Sequence, residues 1–272
     1  ILGYAAARMP ATYHAVLSCY GKLPTDFHPY SLLDFGAGPG TASLAALDSW
    51  KTLECTTLFE NHSLMHTFQK SLWDYLNTTL RLQSVLGDMH QLNSLPSESF
   101  DIVVLSYVLG ELNPNDQEKV LLQALEKTRH YGLIVTPGTP YDFDYLLKAR
   151  DFLINKGAFI TAPCFQQNQC PLSGSKDWCH FSVRLERSSV HQSAKKGTLG
   201  YEDEKFSYLL FSKSASSSSV KGTIIRKPMR RPGHVLLDIC TQGHIKREII
   251  SKSDPNFKIR SKLDWGDFYE QV

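Results

Sequence analysis

A glycine-rich turn at residues 34–40 constrains the fold of this chain more than any other feature. The turn, with the sequence DFGAGPG, follows the short apolar stretch Ser31 to Phe35 and precedes the alanine- and leucine-rich stretch Thr41 to Trp50. Glycine tolerates the backbone angles of a tight turn, and its missing side chain lets a ligand approach the main chain. A strand, a glycine-rich turn and a helix in this order predict the first β-α unit of a Rossmann-like sheet.

Strand-like and helix-like stretches alternate along the rest of the first half of the chain. Such alternation predicts parallel β-α-β units in a doubly wound α/β sheet. A leading helix, Tyr4 to Leu23, with a possible break near Pro10, is predicted before the sheet. We therefore expect a Rossmann-like domain over residues 1–157. After the turn, the strand-like stretches are 55–59, 82–86, 101–106 and 130–136, and the helix-like stretches are 62–79, 113–129 and 141–156.

The pattern changes after Gly157. Residues 158–182 are short segments rich in cysteine, and residues 234–240 and 244–250 alternate like the two arms of a β-hairpin. We therefore predict that residues 158–272 form an appended, Cys-rich and mostly β element, held together by something other than a large core.

Two acidic residues stand where a Rossmann-like domain holds a cofactor. Glu60 closes the second strand, where a carboxylate can accept hydrogen bonds from both ribose hydroxyls, and Asp88 closes the third, where an acid can reach an adenine amino group. The alternative is that these acids cap strand ends and that the glycines serve the turn alone. The candidate cofactor site consists of Asp34, Gly36, Gly38, Gly40, Glu60 and Asp88.

Residues 31–136 resemble the class I S-adenosylmethionine-dependent methyltransferase superfamily. The stretch LLDFGAGPGT at residues 32–41 is similar to its first motif, with Glu60 and Asp88 at the positions of its ribose and adenine acids. The resemblance implies a site for S-adenosylmethionine. Residues 106–112, after the fourth strand, have neither the proline pair of amino-methylating enzymes nor the cysteine nucleophile of cytosine-C5 enzymes. No catalytic base is therefore assigned, and enzymatic activity stays open.

Four of the six cysteines, Cys164, Cys170, Cys179 and Cys240, lie in the second half of the chain. A chain of this size is not a small disulfide scaffold, which favours metal binding for this group. Four thiolates suit a tetrahedral zinc ion or an iron–sulfur cluster. The spacing is not the C-x2-C pairing of a zinc ribbon, which disfavours zinc, and unligated buried thiols are the alternative.

Several segments resemble the methyltransferase-like family of the mitochondrial small ribosomal subunit. They are APC (162–164), CPL (170–172), DWCHF (177–181), RxERS (184–188), EKFSYL (204–209), PGTP (137–140) and WGD (265–267). The resemblance implies a 4Fe–4S cluster on the four cysteines, with zinc as the alternative. It also implies binding to small-subunit rRNA and ribosomal proteins in the mitochondrial matrix. We expect the targeting segment to lie outside this chain, and a monomer away from the ribosome.

The net charge of +2 is unevenly distributed. The first 150 residues carry ten basic and fifteen acidic side chains, whereas the remainder carries nineteen and twelve. The densest basic run is RKPMRR at 226–231, and KKG at 195–197 is a second. We expect these loops to neutralise phosphates of folded RNA without reading bases. No apolar run approaches the roughly 18 residues of a membrane helix, so no membrane partner is expected.

Two functions are consistent with these features. The first is a methyltransferase-like iron–sulfur protein that binds rRNA as an assembly factor or subunit of the mitochondrial small ribosomal subunit. The alternative is an active S-adenosylmethionine-dependent rRNA methyltransferase. The missing catalytic motif favours the first. A third class, a zinc-bound methyltransferase of small molecules, is disfavoured by the basic second half.

Overall fold

The computed structural model describes residues 2–76, 78–89, 94–195, 198–215 and 220–270. Within these ranges, no helix is long and apolar enough to cross a membrane. The helices are α1 (Leu2–Ala7), α2 (Met9–Tyr20), α3 (Thr41–Ser49), α4 (Ser63–Leu76), α5 (Pro114–Lys127), α6 (Pro140–Asn155), α7 (Ser189–Lys195) and α8 (Phe257–Arg260), with a 3₁₀ turn at Leu109–Glu111. The strands are β1 (Ser31–Phe35), β2 (Cys55–Glu60), β3 (Arg81–Leu86), β4 (Phe100–Ser106), β5 (Thr128–Pro137), β6 (Phe159–Ala162), β7 (Phe181–Glu186), β8 (Tyr201–Ser212), β9 (Val220–Ile224), β10 (Met229–Arg231), β11 (His234–Cys240), β12 (Ile245–Ser251) and β13 (Phe268–Glu270).

The main sheet has the strand order β3-β2-β1-β4-β5-β8-β6. Its first five strands are parallel to one another, whereas β8 runs antiparallel to β5. Strand β6 pairs with the carboxyl-terminal part of β8, and β7 pairs with its amino-terminal part. The predicted Rossmann-like α/β sheet is therefore confirmed.

Helices cover both faces of this sheet, so its central strands are buried on both sides. Leu32 of β1 and Val104 of β4 pack in one core with α2 and α3. Their neighbours Leu33 and Val103 pack in the opposite core with α5 and α6. Burial on both faces explains why β1 and β4 appear in the sequence as nearly unbroken apolar runs.

The leading helix is divided at Arg8, between α1 and α2, rather than at Pro10. Pro10 lies in the first turn of α2, where the missing amide proton of proline costs no helical hydrogen bond. The division lets α1 lie beside the carboxyl edge of the main sheet, where the candidate cofactor site is found.

The predicted division of the chain after residue 157 does not coincide with the division between the two sheets. Strands β6, β7 and β8 lie beyond it and belong to the main sheet, because Phe206, Leu209 and Phe211 of β8 are buried beside β5. The five-stranded second sheet comprises β9 to β13. Its predicted hairpin is formed by β11 and β12, paired from His234–Ser251 to Cys240–Ile245.

The four cysteines of the predicted metal site lie at the junction of the two sheets. Cys164, Cys170 and Cys179 belong to the segment between β6 and β7, and Cys240 ends β11. The predicted Cys-rich, mostly β element is therefore not confirmed, since three of the four cysteines lie in an irregular segment attached to the main sheet.

Candidate functional site

The glycine turn lies at the carboxyl edge of the main sheet, between β1 and α3. Gly36, Gly38 and Gly40 have φ angles of 77°, 54° and 86°, which residues with side chains rarely adopt. A Cβ atom on Gly36 would stand 2.6 Å from Cε of Met89, and one on Gly40 would stand 2.7 Å from Nε1 of Trp73. The turn therefore requires glycine for its own geometry, whether or not a ligand binds.

Glu60 faces the turn from the end of β2, where the sequence predicts an acid that binds ribose. Its Oε2 atom accepts a hydrogen bond from the Gly38 amide (2.8 Å), and its Oε1 atom accepts one from the His62 amide (2.7 Å). The side chain is buried. Because each carboxylate oxygen has a further lone pair, a ribose would either share Glu60 with the turn or displace the Gly38 amide.

Asp34 is fully buried at the end of β1 and holds the first turn of α3. Its Oδ2 atom accepts hydrogen bonds from the Ser43 amide (3.1 Å) and the Ser43 hydroxyl (3.0 Å). Burial raises the pKa of the carboxyl to about 7, against the lowering effect of the two Ser43 hydrogen bonds. Its Oδ1 atom has no hydrogen-bond partner among the described residues. Asp34 thus supports the candidate cofactor site by positioning the turn.

Two further acids lie near this edge of the sheet. Asp88, predicted to reach an adenine, is exposed just after β3. Glu111 belongs to the 3₁₀ turn after β4, and burial, with a smaller contribution from the charge of Glu60, raises the pKa of its carboxyl. Of the acids predicted to contact the cofactor, Glu60 thus lies against the turn, whereas Asp88 is exposed just after β3.

Helix α1 brings Tyr4 to the glycine turn, a contact that the sequence does not predict. The Tyr4 hydroxyl stands 3.7 Å from the position of a Cβ atom on Gly38. Burial raises the pKa of Tyr4, the Arg8 cation opposes this effect, and the Glu111, Asp34 and Glu60 carboxylates add to it. No local signal marks Tyr4, because the groups around it come from separate segments of the chain.

Tyr107 has a strained backbone at the end of β4. Its φ angle of 59° is the one positive value at a residue other than glycine in the described part of the chain. Its hydroxyl donates to Oε1 of Glu204 (3.0 Å), and Arg8 lies 5.2 Å from its ring centre and 3.5 Å from Glu204. Such strain is typical of functional sites. These three residues form a polar cluster that joins the α1–α2 junction, β4 and β8.

The structure brings the four predicted metal-binding cysteines towards one place. Cys164, Cys170 and Cys179 line a single cavity of about 30 Å³, together with Arg150 of α6. Cys240 pairs with Thr223 of β9, whose hydroxyl donates to the carbonyl of Pro163 next to Cys164, and its thiol raises the pKa of Cys164. All of these cysteines are free thiols. In the part of the chain that the structure describes, no three His, Cys, Asp or Glu side chains are arranged to hold a metal ion.

The surroundings of the thiols disfavour their ionisation. Burial raises the pKa of Cys179, and the neighbouring Cys164 and Cys170 raise it further. Burial also raises the pKa of Cys170, whereas the Arg150 cation lowers it. Buried thiols with raised pKa values are inert unless a metal deprotonates them.

The basic run at residues 226–231 is only partly available to a ligand. Arg226 pairs with Asp177, and Arg230 donates to the carbonyls of Ser261 and Leu263. Lys227 and Arg231 are exposed. Two of the four basic side chains of the predicted RNA-binding run thus stabilise the second sheet and its junction with the main sheet. Residues 196 and 197 of the second basic run lie outside the described residues.

The sheet and the turn together define a class I methyltransferase-like domain. Five parallel strands in the order 3-2-1-4-5, an antiparallel strand beside the fifth, and a glycine-rich turn after the first form this fold. Within this class, the chain belongs to the mitochondrial small ribosomal subunit Rsm22 family, whose model matches residues 1–270. The resemblance noted from the sequence is confirmed.

Two curated relatives match nearly the whole chain. The human protein named "Ribosome assembly protein METTL17, mitochondrial" is 24% identical over 98% of this chain and 61% of its own length. "Rsm22-cox11 tandem protein 2, mitochondrial" of Schizosaccharomyces pombe is 24% identical over 99% of this chain and 43% of its own length. The chain thus spans less than two thirds of the relatives that it matches.

Solved methyltransferase structures are similar to this chain in fold. Magnesium protoporphyrin IX methyltransferase of Synechocystis PCC 6803, solved with bound SAH, is 11% identical, with a TM-score of 0.49 over 75% of this chain and 84% of its own. TehB of Haemophilus influenzae is 18% identical, with a TM-score of 0.46 over 74% of this chain and 62% of its own. The assignment of the fold rests on the strand order given above.

Proposed function

We propose that this chain is the ribosome-binding part of a mitochondrial protein that serves the small ribosomal subunit. In the mitochondrial matrix it binds small-subunit rRNA and ribosomal proteins, as an assembly factor or a subunit. The observation that carries this proposal is the family match over residues 1–270, because it spans both sheets and the cysteine segment. The names of the relatives support it, since one is a ribosome assembly protein and both are mitochondrial.

At the junction of the sheets we propose a 4Fe–4S cluster on Cys164, Cys170, Cys179 and Cys240, with zinc as the alternative. Three of these thiols line one cavity, and the fourth lies near the segment of Cys164, because Cys240 pairs with Thr223 and Thr223 donates to the Pro163 carbonyl. The donor set suits either group. Arg150 lines the same cavity, and its buried Nε atom has no hydrogen-bond partner among the described residues, which fits an anionic occupant.

The proposed cluster has a structural role, because its ligands come from both sides of the junction. When bound, it supplies metal–thiolate bonds. Cys164, Cys170 and Cys179 hold the segment between β6 and β7, and Cys240 holds β11, the central strand of the second sheet. The four thiols would therefore lock the second sheet, with its exposed basic residues, onto the main sheet.

The glycine turn is the proposed site for S-adenosylmethionine. Gly36, Gly38 and Gly40 shape the turn through their positive φ angles, Gly38 leaves its backbone open to a ligand, and the remaining lone pairs of Glu60 suit ribose hydroxyls. Asp88 is the candidate acid for the adenine amino group. The cofactor supplies a transferable methyl group when bound, whereas these residues bind and orient it.

An active rRNA methyltransferase is the second candidate function, and the polar cluster at Tyr107 favours it. A strained aromatic residue beside Glu204 and Arg8 lies near the edge at which the cofactor would bind. None of the three is yet assigned as a catalytic base. Under this alternative, the cluster would position an RNA nucleotide opposite the cofactor.

Sedimentation of the full-length protein in mitochondria of its source tests the ribosomal role. The tagged wild-type protein is expected in gradient fractions that contain small-subunit particles, and a Cys170→Ser, Cys179→Ser variant is expected to leave them. Cys55→Ser, a half-buried thiol of β2 far along the chain from the cysteine site, is the control and should stay. A wild-type protein that sediments apart from these particles, with small-subunit levels unchanged on its depletion, would refute the proposal.

A map of rRNA methylation separates the two candidate functions. Gly38→Arg should exclude the cofactor, because Gly38 has a positive φ and faces Tyr4. For an assembly factor without catalysis, the variant leaves all methyl marks of small-subunit rRNA in place. Loss of one specific mark, with ribosome association retained, would instead establish the methyltransferase.

A further inference from the structure

Helix α6 places one arginine, Arg150, in the lining of the cysteine cavity. Its side chain is only 3% exposed and lies with Cys164, Cys170 and Cys179 around the same cavity. We propose that Arg150 is a positioning residue whose buried charge balances a negatively charged metal–thiolate centre in this cavity. The inference rests on the function proposed for the cysteine site, and it adds to that site a residue that is not a ligand.

The protein satisfies the guanidinium of Arg150 only in part. Its Nη2 atom donates to the carbonyls of Gln166 (2.9 Å) and Asn168 (2.7 Å), and its Nη1 atom donates to the carboxylate of Asp151 (3.2 Å). The Nε atom is buried without a partner in the described part of the chain. Because buried donors are nearly always paired in native proteins, a further acceptor is expected beside Arg150, which lines the cavity.

The positive charge of Arg150 is also incompletely balanced. Among the described residues, its ion pair is with Asp151. The Asp151 side chain is 62% exposed, so water screens this pair strongly. A buried cation requires an anion in the same low-dielectric surroundings. Apart from Arg150, apolar and aromatic side chains and the three thiols line the cavity, so sulfur is the available source of negative charge.

Protonated thiols cannot supply this charge, but metal-bound thiolates can. Thiols that coordinate a metal are deprotonated outright. Four thiolates exceed the positive charge of a zinc ion or of a four-iron, four-sulfide core. Either centre is therefore negative, and Arg150 lies beside it.

Arg150 also contacts the backbone between two of the cysteines, so its charge and its shape must be tested apart. Gln166 and Asn168 lie between Cys164 and Cys170 in the chain. Arg150→Lys keeps the charge but loses the forked geometry of the guanidinium. Arg150→Gln keeps a polar side chain but loses the charge. Asp151→Asn, which alters the exposed partner alone, is the matched control.

The experiment uses the full chain, reconstituted anaerobically with ferrous iron and sulfide, and measures iron content and reduction potential. Removal of a nearby positive charge favours the less negative, oxidised state of a cluster. Arg150→Gln should therefore shift the oxidised-to-reduced ratio at a fixed potential at least tenfold towards the oxidised form, which is about 59 mV for one electron. Arg150→Lys and Asp151→Asn should shift it less than threefold.

Each result separates the role of Arg150 from the existence of the site. If Arg150→Gln loses the iron and Arg150→Lys retains it, the result supports a role for the charge of Arg150. If both variants lose the iron, Arg150 acts through its shape and the inference is overturned. An unchanged potential in Arg150→Gln also overturns it. If the wild-type chain takes up zinc instead of iron, Arg150→Gln should lose zinc to a chelator at least tenfold faster, and equal retention overturns the inference. A wild-type chain that binds neither metal refutes the cysteine site itself.

Discussion

The backbone amide of Gly38 donates a hydrogen bond to Oε2 of Glu60 over 2.8 Å. This contact joins the glycine turn after β1 to the end of β2, and Glu60 also holds the chain after β2 through the His62 amide. The acid that the sequence predicts for ribose binding therefore also supports the turn. Stability of the turn and affinity for a cofactor are expected to change together when Glu60 is altered.

Glu60→Ala should lower the free energy of unfolding by about 3 kcal/mol, because two hydrogen bonds to a buried carboxylate are lost. Glu54→Ala is the control, since Glu54 makes an ion pair with Arg81 in which both side chains are more than 60% exposed. Its effect should not exceed about 0.5 kcal/mol. Urea unfolding of both variants measures the difference, and equal effects would contradict the supporting role of Glu60.

Gly40→Ala should be more destabilising than Gly157→Ala, although both glycines have a φ of +86°. A Cβ atom on Gly40 meets Trp73 Nε1 at 2.7 Å, whereas nothing lies within 4 Å of one on Gly157. Gly157→Ala should cost about 1 kcal/mol from backbone strain alone. Gly40→Ala should cost about 1–3 kcal/mol more from overpacking. Identical thermal unfolding curves for the two variants would show that the Trp73 side chain moves aside without loss of stability.

Asp34→Asn should become progressively more stable than the wild type as the pH rises. Burial raises the pKa of Asp34 to about 7 from the ordinary 3.8. Between these pH values the folded state therefore binds more protons than the unfolded state. The free energy of unfolding of the wild type consequently falls from about pH 4 to pH 7. The advantage of Asn should be near zero at pH 3 and about 4 kcal/mol at pH 8. Urea unfolding at several pH values measures it, and a constant difference would contradict the raised pKa.

Within the basic run, Lys227 and Arg231 should carry the contact with RNA phosphates. The double variant Lys227→Ala, Arg231→Ala should reduce the slope of log affinity against log salt by about 1.4–1.8, since each phosphate contact contributes about 0.7–0.9. Arg247→Ala, whose side chain is held by Asp238 at 2.7 Å and 2.9 Å, is the control. Filter binding to small-subunit rRNA fragments gives the slopes, and an unaltered slope in the double variant would place the contact elsewhere.

Local patterns in the sequence account for most of the main sheet. The glycine turn, the apolar runs of β1 and β4 and the hairpin of β11 and β12 are all visible as short-range signals, and each is found in the structure. Local patterns in the sequence do not show where the main sheet ends. Strand β8 joins it because Phe206, Leu209 and Phe211 are buried beside β5, a pairing between segments some seventy residues apart.

The candidate sites show the same distinction between residue type and surroundings. The sequence identifies the acids, glycines and cysteines by type and spacing, but it does not indicate that Glu60 is engaged by the turn, that Tyr4 reaches Gly38, or that Arg150 lies beside the thiols. These contacts depend on how separate elements pack. Electrostatic effects such as the raised pKa of Asp34 arise only after that packing has removed water.

The sequence by itself thus determined the class of the fold, the family and the residue types of both candidate sites, because periodicity, turn residues and motifs are properties of neighbouring positions. The tertiary structure alone decided which basic residues remain exposed, since Arg226 is held by Asp177 across 49 positions of the chain. It likewise decided that Cys240 lies near the segment of Cys164 at the junction of the sheets. Long-range contacts of this kind form only when the two sheets pack together, and no local pattern of residues encodes them.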